Sequence, residues 1–185
     1  MLVSTYPGTM CQNFTQDWYV EKTQTHPACP LSFPSVQPHI DYCITVWGGA
    51  ANIYIVQVQR LQNKAARIIT GVYDWEVRGC DLVKQLGWQT VRERCNYLTC
   101  VMVFKSLHGL APSYMEDMFT FTSEIRDRVT RGNSQHNLYV PKPNLEVFRS
   151  SVQYRGACLW NSLPLQIKSA TTLSSFKDKC RSHFN

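Results

Sequence analysis

The segment IYIVQVQRLQNKAARIITG, from Ile53 to Gly71, decides the fold because it contains one complete amphipathic helix. Its apolar and small residues recur at spacings of four, three, four and three: Tyr54, Val58, Leu61, Ala65 and Ile68. On a helix with 3.6 residues per turn they fall within an arc of about 80°. Gly71 stands where a helix favours a left-handed residue, so the helix is predicted to end there. We expect the apolar stripe to pack in a core.

The same helix carries three cations, Arg60, Lys64 and Arg67, on a second strip. This strip is displaced from the apolar stripe by about a third of a turn. A helix that is buried on one face presents such a strip as an ordered row. Two interpretations stay open: the strip is an ordinary solvated face, or it contacts a polyanion.

Composition indicates a folded chain with a modest positive charge. Its 185 residues are 44% hydrophobic and 17% charged, which is typical of a globular protein. The formal net charge of +6 fits a polyanionic partner, although many proteins without such a partner are equally basic. The N-terminus does not resemble a signal peptide, and no apolar run is long enough to span a bilayer. We therefore expect an intracellular protein, nuclear or cytoplasmic, with reduced cysteines and no membrane partner.

The rest of the chain also favours helices, so the predicted fold class is mainly α. Further helices are predicted at 80–86, 90–108, 112–118, 151–163 and 172–183. Thr90 and Glu93 form a capping box at the start of the second of these, and its wide apolar arc predicts burial between at least two other elements. Short apolar runs at 138–140 and 145–148 allow at most a small β-hairpin near residues 138–148.

We find no motif for catalysis or metal binding. The sequence contains neither the phosphate-binding loop G-x-x-x-x-G-K-[ST] nor the nucleophile motif G-x-S-x-G. His26, Cys29, His39 and Cys43 are residue types that zinc accepts, but their order is unusual and we interpret them as ordinary side chains. No catalytic residue, metal site or cofactor is predicted.

Aromatic residues beside cations are a further candidate for nucleic-acid contact. Such neighbours are Trp75 with Arg78, Trp88 with Arg92, and the segment from Tyr154 to Trp160. They either stack nucleobases or fill the joints between helices. Three arginines, Arg126, Arg128 and Arg131, also lie close together in the polar stretch 120–137.

Several motifs follow one another in order along the chain. The first is Pro38-His39-Ile40-Asp41-Tyr42-Cys43 with Val46-Trp47-Gly48, and the second is the segment from Leu61 to Gly71. The others are Leu86-Gly87-Trp88, the segment from Lys105 to Tyr114, Leu159-Trp160-Asn161-Ser162-Leu163-Pro164, and the segment from Leu173 to Lys177. Together they resemble the non-LTR (LINE-type, jockey-like) retrotransposon reverse transcriptases, in the region that follows the polymerase palm.

The resemblance implies a thumb-like helical region at 38–119 and a C-terminal extension at 120–185, with a loop, the possible hairpin and two helices. Residues 1–37 do not share it, and their prolines and polar residues predict an irregular or disordered segment. The resemblance also implies that the palm, with its metal-binding carboxylates, lies outside this sequence. The sequence has no adjacent Asp pair, and we expect its acidic doublet, Glu116-Asp117, to face water.

The leading hypothesis is a fragment of an RNA-directed DNA polymerase that is not itself an enzyme. Any activity it retains is non-specific binding to the backbone of an RNA or DNA template–primer. The candidate contact residues are Arg60, Lys64, Arg67, Arg92, Arg126, Arg128 and Arg131. The alternative is a helical protein-interaction module with no nucleic-acid role, whose apolar stripes dock on a partner such as the palm domain.

Overall fold

The computed structural model describes residues 36–74, 76–125 and 136–184, and these residues are mainly helical. In chain order the helices are α1 (Gln37–Asp41), α2 (Ile44–Trp47), α3 (Asn52–Thr70), α4 (Gly79–Gln85), α5 (Val91–Leu107), α6 (Ser113–Glu116), α7 (Thr122–Ile125), α8 (Glu146–Arg149), α9 (Val152–Ser162), α10 (Leu165–Lys168) and α11 (Leu173–Phe184). The mainly α fold class is therefore confirmed.

Local signals place the long helices where the sequence predicts them. Gly71 follows α3 with a φ of 67°, the left-handed conformation that ends a helix. At the start of α5 the Thr90 side chain accepts a hydrogen bond from the Glu93 backbone N–H, and the Glu93 side chain accepts one from the Thr90 backbone N–H. The predicted capping box is therefore confirmed.

Helix α5 is the centre of the fold, because residues around most of its circumference are buried. It packs against α9 and α11 through the largest apolar cluster of the described residues. Within that cluster the Phe104 and Phe176 rings stack with centroids 4.4 Å apart, and Trp160 stacks on Phe176 at 5.8 Å. The prediction that this helix is buried between several elements is confirmed.

Two smaller apolar clusters attach α3 to the rest of the fold. Towards the N-terminus of α3, Ile55 belongs to a cluster with Ile44 of α2 and Val91 of α5. Towards its C-terminus, Ala66 belongs to a cluster with Val83 of α4. Helix α3 thus packs against α5 towards its N-terminus, in a cluster that also contains residues of α1 and α2, and against α4 towards its C-terminus.

The buried face of α3 is not the predicted one. Three of its residues are buried: Ile55, Gln62 and Ala66. Three members of the apolar stripe are mostly exposed: Tyr54 by 59%, Leu61 by 64% and Ile68 by 55%. The centre of the buried face is rotated from the centre of the stripe by about 100°. The prediction that the stripe packs in a core is wrong for these three residues, while Val58 and Ala65 are half-buried.

Hydrogen bonds account for this rotation. The Gln62 Nε2 donates to the Gln89 carbonyl at 2.9 Å, and the Val91 backbone N–H donates to Gln59 Oε1 at 2.9 Å. The two amides also join each other, since Gln59 Nε2 donates to Gln62 Oε1 at 2.8 Å. Because their polar atoms have partners, the amides are stable at the interface. They fix α3 to the turn that leads into α5.

The β-hairpin allowed near residues 138–148 does not form. Leu138 makes an isolated antiparallel bridge with Phe121, and the second predicted strand is instead the helical turn α8. The Asn161 side chain accepts from the Leu138 backbone N–H at 2.7 Å and donates to its carbonyl at 2.9 Å. This asparagine of α9 therefore uses the backbone groups that a hairpin partner would have taken.

Exchanging polarity at two neighbouring positions of α3 tests the rotation. Gln62→Met removes both the donor to the Gln89 carbonyl and the acceptor for Gln59, so we expect the free energy of unfolding to fall by about 1–3 kcal/mol. Leu61→Gln changes an exposed residue and should alter it by less than about 0.5 kcal/mol. Urea unfolding followed by circular dichroism measures both. A larger loss for Leu61→Gln would place the stripe in the core after all.

Candidate nucleic-acid interface

The candidate interface is built on the outer side of α3. Arg60 and Lys64 are exposed and lie about 160° around the helix from the centre of its buried face. Their positions are separated by a rise of about 6 Å along the helix axis. Neither residue forms an ion pair with any other residue that the structure describes. We call Arg60 and Lys64 the cation row.

The sequence around the cation row contains no compensating charge. Between Asp41 and Asp74 there is no acidic residue, and the only Lys or Arg residues are the three of α3. Surface cations that lack nearby acids produce a local positive potential that attracts polyanions. This is the electrostatic property that a phosphate-binding surface needs.

Arg67, the third cation of the predicted strip, has a structural role. Its guanidinium donates from Nη1 to the Asp74 carbonyl at 2.7 Å and from Nη2 to the Val77 carbonyl at 2.6 Å. The residue is half-buried, and these bonds hold the connection between α3 and α4 against the end of α3. Arg67 therefore lies beside the cation row with both of its terminal guanidinium nitrogens, Nη1 and Nη2, already hydrogen-bonded.

Arg92 adds a cation at the other end of α3. It is exposed, and its Nη2 donates to Asn52 Oδ1 at 3.0 Å. Asn52 begins α3 and lies about 12 Å before Arg60 along the helix axis. The structure thus brings the predicted contact residue Arg92 to the same helix as the cation row, although it is distant in sequence.

Arg78 is the N-cap residue of α4, the helix that follows the loop held by Arg67, and sequence reasoning noted it only as a neighbour of Trp75. It is exposed and directly follows Val77, whose carbonyl accepts a hydrogen bond from Arg67. The sequence signal was only its proximity to Trp75, which is outside the described residues. The hydrogen bonds from Arg67 to the loop that precedes Arg78 have no simple sequence signature.

Other cations of the chain are used inside the fold. Arg94 forms a bidentate salt bridge with Asp41, in which Nη2 and Oδ2 are 2.7 Å apart. Arg155 donates to Cys95 Sγ at 2.9 Å. Lys168 is buried, which lowers the pKa of its ammonium group, and its Nζ donates to Asn137 Oδ1 at 2.8 Å. Their engagement distinguishes these groups from Arg60 and Lys64.

Two of the aromatic candidates, Trp88 and Trp160, fill joints between helices. Trp88 is buried beside α4, and Trp160 is buried in the main cluster with its Nε1 donating to the His136 carbonyl at 2.9 Å. Buried rings do not offer free faces to nucleobases. Of the two interpretations of these tryptophans, packing is the one that the structure supports.

The remaining predictions fall partly beyond the described residues. Arg126, Arg128 and Arg131 lie outside them, as do His26 and Cys29, so these predictions stay untested. Within the described residues no group of three or more His, Cys, Asp or Glu side chains is placed to hold a metal ion. The acidic doublet Glu116-Asp117 is exposed, as predicted. None of the helices described here is both long and apolar enough to cross a membrane.

The different roles of Arg67 and Arg60 give a stability prediction. Arg67→Ala removes two charge-assisted hydrogen bonds, so we expect the free energy of unfolding to fall by about 2 kcal/mol. Arg60→Ala, about two helical turns away and exposed, should change it by less than about 0.5 kcal/mol. Urea unfolding of the two variants makes the comparison. Equal losses would contradict the division into a structural arginine and an exposed row.

Comparison with known proteins gives a partial match. The chain is similar to the probable RNA-directed DNA polymerase from transposon X-element of Drosophila melanogaster, with 39% identity over 59 residues. The matched segment covers 32% of this chain and 6% of that polymerase. No protein-family model matches the sequence, and no solved structure matches the chain. Part of this chain is thus similar in sequence to a small part of a transposon-encoded RNA-directed DNA polymerase.

Proposed function

We propose that this chain is a non-catalytic part of a retrotransposon RNA-directed DNA polymerase and that it binds the backbone of RNA or DNA through α3. The similarity to the X-element polymerase supports the first half of the proposal. The cation row supports the second half. On this proposal residues 38–119 serve as the thumb-like region, residues 120–185 as a C-terminal extension, and a palm outside this sequence holds the catalytic carboxylates.

The observation that carries the binding proposal is a pair of exposed cations on a helix without acids. Arg60 and Lys64 face away from the fold, and no described carboxylate pairs with them. Placing phosphates there neutralises both charges without breaking any bond of the fold. The cations inside the fold, such as Arg155, would lose their present partners if they turned to a ligand.

The expected binding is independent of sequence. Contacts from Lys and Arg to phosphates fix position but do not read bases. With Arg60, Lys64 and Arg92 each neutralising one phosphate of a duplex, the logarithm of the association constant should fall against the logarithm of the salt concentration with a slope of about −2.7. Affinity at 200 mM salt would then be about 40-fold lower than at 50 mM. Arg126, Arg128 and Arg131 would steepen that slope if they also bind.

Neutralising the cation row tests the proposal. We expect Arg60→Gln with Lys64→Gln to weaken binding of a labelled 20-base-pair duplex and to reduce the magnitude of the salt slope by about 1.8. Fluorescence anisotropy between 50 and 200 mM salt measures both quantities. Random and fixed duplex sequences should bind equally to the unaltered chain.

A charge-matched variant serves as the control. Lys142→Gln with Lys179→Gln removes two exposed cations that lie on other elements, so it lowers the net charge equally but leaves α3 intact. Duplex binding by this control variant should show most of the salt dependence of the unaltered chain. The proposal fails if the unaltered chain does not bind at 50 mM salt, if binding ignores salt, or if both double variants lose the same amount.

A second candidate function is the protein-interaction module, and one observation favours it. The apolar stripe of α3 exposes Tyr54, Leu61 and Ile68 instead of burying them. Contiguous apolar side chains on a protein surface are typical of interaction sites. A partner that covers the stripe would give these side chains the burial that the fold itself does not provide.

A further inference from the structure

The spacing of the apolar stripe is that of a two-helix seam. Spacings of four and three alternate from Tyr54 to Ile68, which is the heptad pattern of residues that pack between paired helices. Tyr54, Leu61 and Ile68 occupy one of the two seam positions, and Val58 and Ala65 occupy the other. Over these residues the stripe extends about 21 Å along α3.

The shape of the stripe matches a single helix. Its arc of about 80° is the narrow width of a seam, whereas packing into a broad core needs 100° or more. One edge of the stripe meets the buried face of α3, where Val58 is already half-buried in the cluster of Ile55. A helix laid along the stripe would continue that contact outward and cover Leu61 and Ile68.

Charge determines which helix fits. The outer edge of the stripe is bordered by Lys64, which lies about 60° around α3 from Leu61 and 40° from Ile68. Because α3 has no acidic residue, a second copy of this chain would bring the same cations to the seam and repel. An acidic helix would instead place carboxylates opposite Lys64.

We propose that the apolar stripe of α3 binds an amphipathic helix of another protein, with apolar residues in heptad spacing and Asp or Glu beside its own seam. This inference rests on the second candidate function, the protein-interaction module, and names its partner by chemistry. It uses a face of α3 about 100° from the cation row, so it does not depend on nucleic-acid binding. Lys64 is the residue that both surfaces share.

The test uses the full chain and two synthetic helical peptides of three heptads with leucine at the seam positions. One peptide carries glutamate and the other lysine at the positions that flank the seam. We expect the glutamate peptide to bind at least about 5-fold more tightly in fluorescence anisotropy at 100 mM salt. Leu61→Gln should weaken its binding about 10-fold, because the leucine loses its burial against the peptide.

Matched variants separate the possible outcomes. Leu145→Gln alters an equally exposed leucine far along the chain and should leave peptide binding unchanged. Lys64→Glu should weaken binding of the glutamate peptide about 3-fold and strengthen binding of the lysine peptide about 3-fold. Arg60→Gln should weaken duplex binding and leave peptide binding unchanged. Leu61→Gln should weaken peptide binding and leave duplex binding unchanged.

Each contrary result overturns a defined part of the inference. If the lysine peptide binds as well as the glutamate peptide, and Leu61→Gln weakens both, the acidic partner is wrong but the interaction module stands. If sedimentation shows a dimer of this chain that Leu61→Gln dissociates, a second copy is the occupant. If neither peptide binds at 1 mM and the chain stays monomeric, the interaction module itself fails, whatever the duplex result.

Discussion

The hydrogen bonds of Gln59 and Gln62 fix the rotation of α3 about its own axis, and the surface of the molecule follows from that rotation. They join α3 to the turn before α5, the central helix. Since successive side chains of a helix are 100° apart, fixing one face fixes all others. Had the apolar stripe faced the core, Gln62 would lie near its edge and Arg60 at its flank. The observed rotation instead sends the stripe and the cation row to two separate outer faces.

Apolar packing and side-chain hydrogen bonds contribute differently to this fold. Apolar burial around α5, with Phe104, Trp160 and Phe176 at its centre, supplies most of the stabilisation, because transfer of large side chains from water is the dominant favourable term. The hydrogen bonds of the buried Gln62 and the half-buried Gln59 add little net free energy, but leaving such groups without partners is costly. They therefore favour the one orientation of α3 in which these groups have partners.

This division explains what could be predicted from the sequence. Helices and their ends depend on local signals, such as Gly71 and the Thr90–Glu93 box, and these were predictable. The buried face of α3 could not be predicted. Gln62 is polar and is therefore expected at the surface, and its hydrogen bond to the Gln89 carbonyl joins residues that are distant in sequence. The absent hairpin has the same cause, since Asn161 reaches Leu138 from another helix. In the candidate site, the exposure of Arg60 and Lys64 followed from spacing, whereas the engagement of Arg67 depended on the path of the following loop.

On the two proposals, the outer faces of α3 bind ligands of different chemistry. A phosphate backbone would neutralise Arg60 and Lys64 but would gain nothing from covering Leu61, because phosphates are strongly hydrated. An apolar helix would bury Leu61 and Ile68 but would leave Arg60 pointing into water. Either ligand alone therefore satisfies one face, and the angle of about 100° between the faces leaves room for both at once. Only at Lys64 do the two surfaces meet, so a helix with acids at its flank would compete with phosphates for that one charge and leave Arg60 to the nucleic acid.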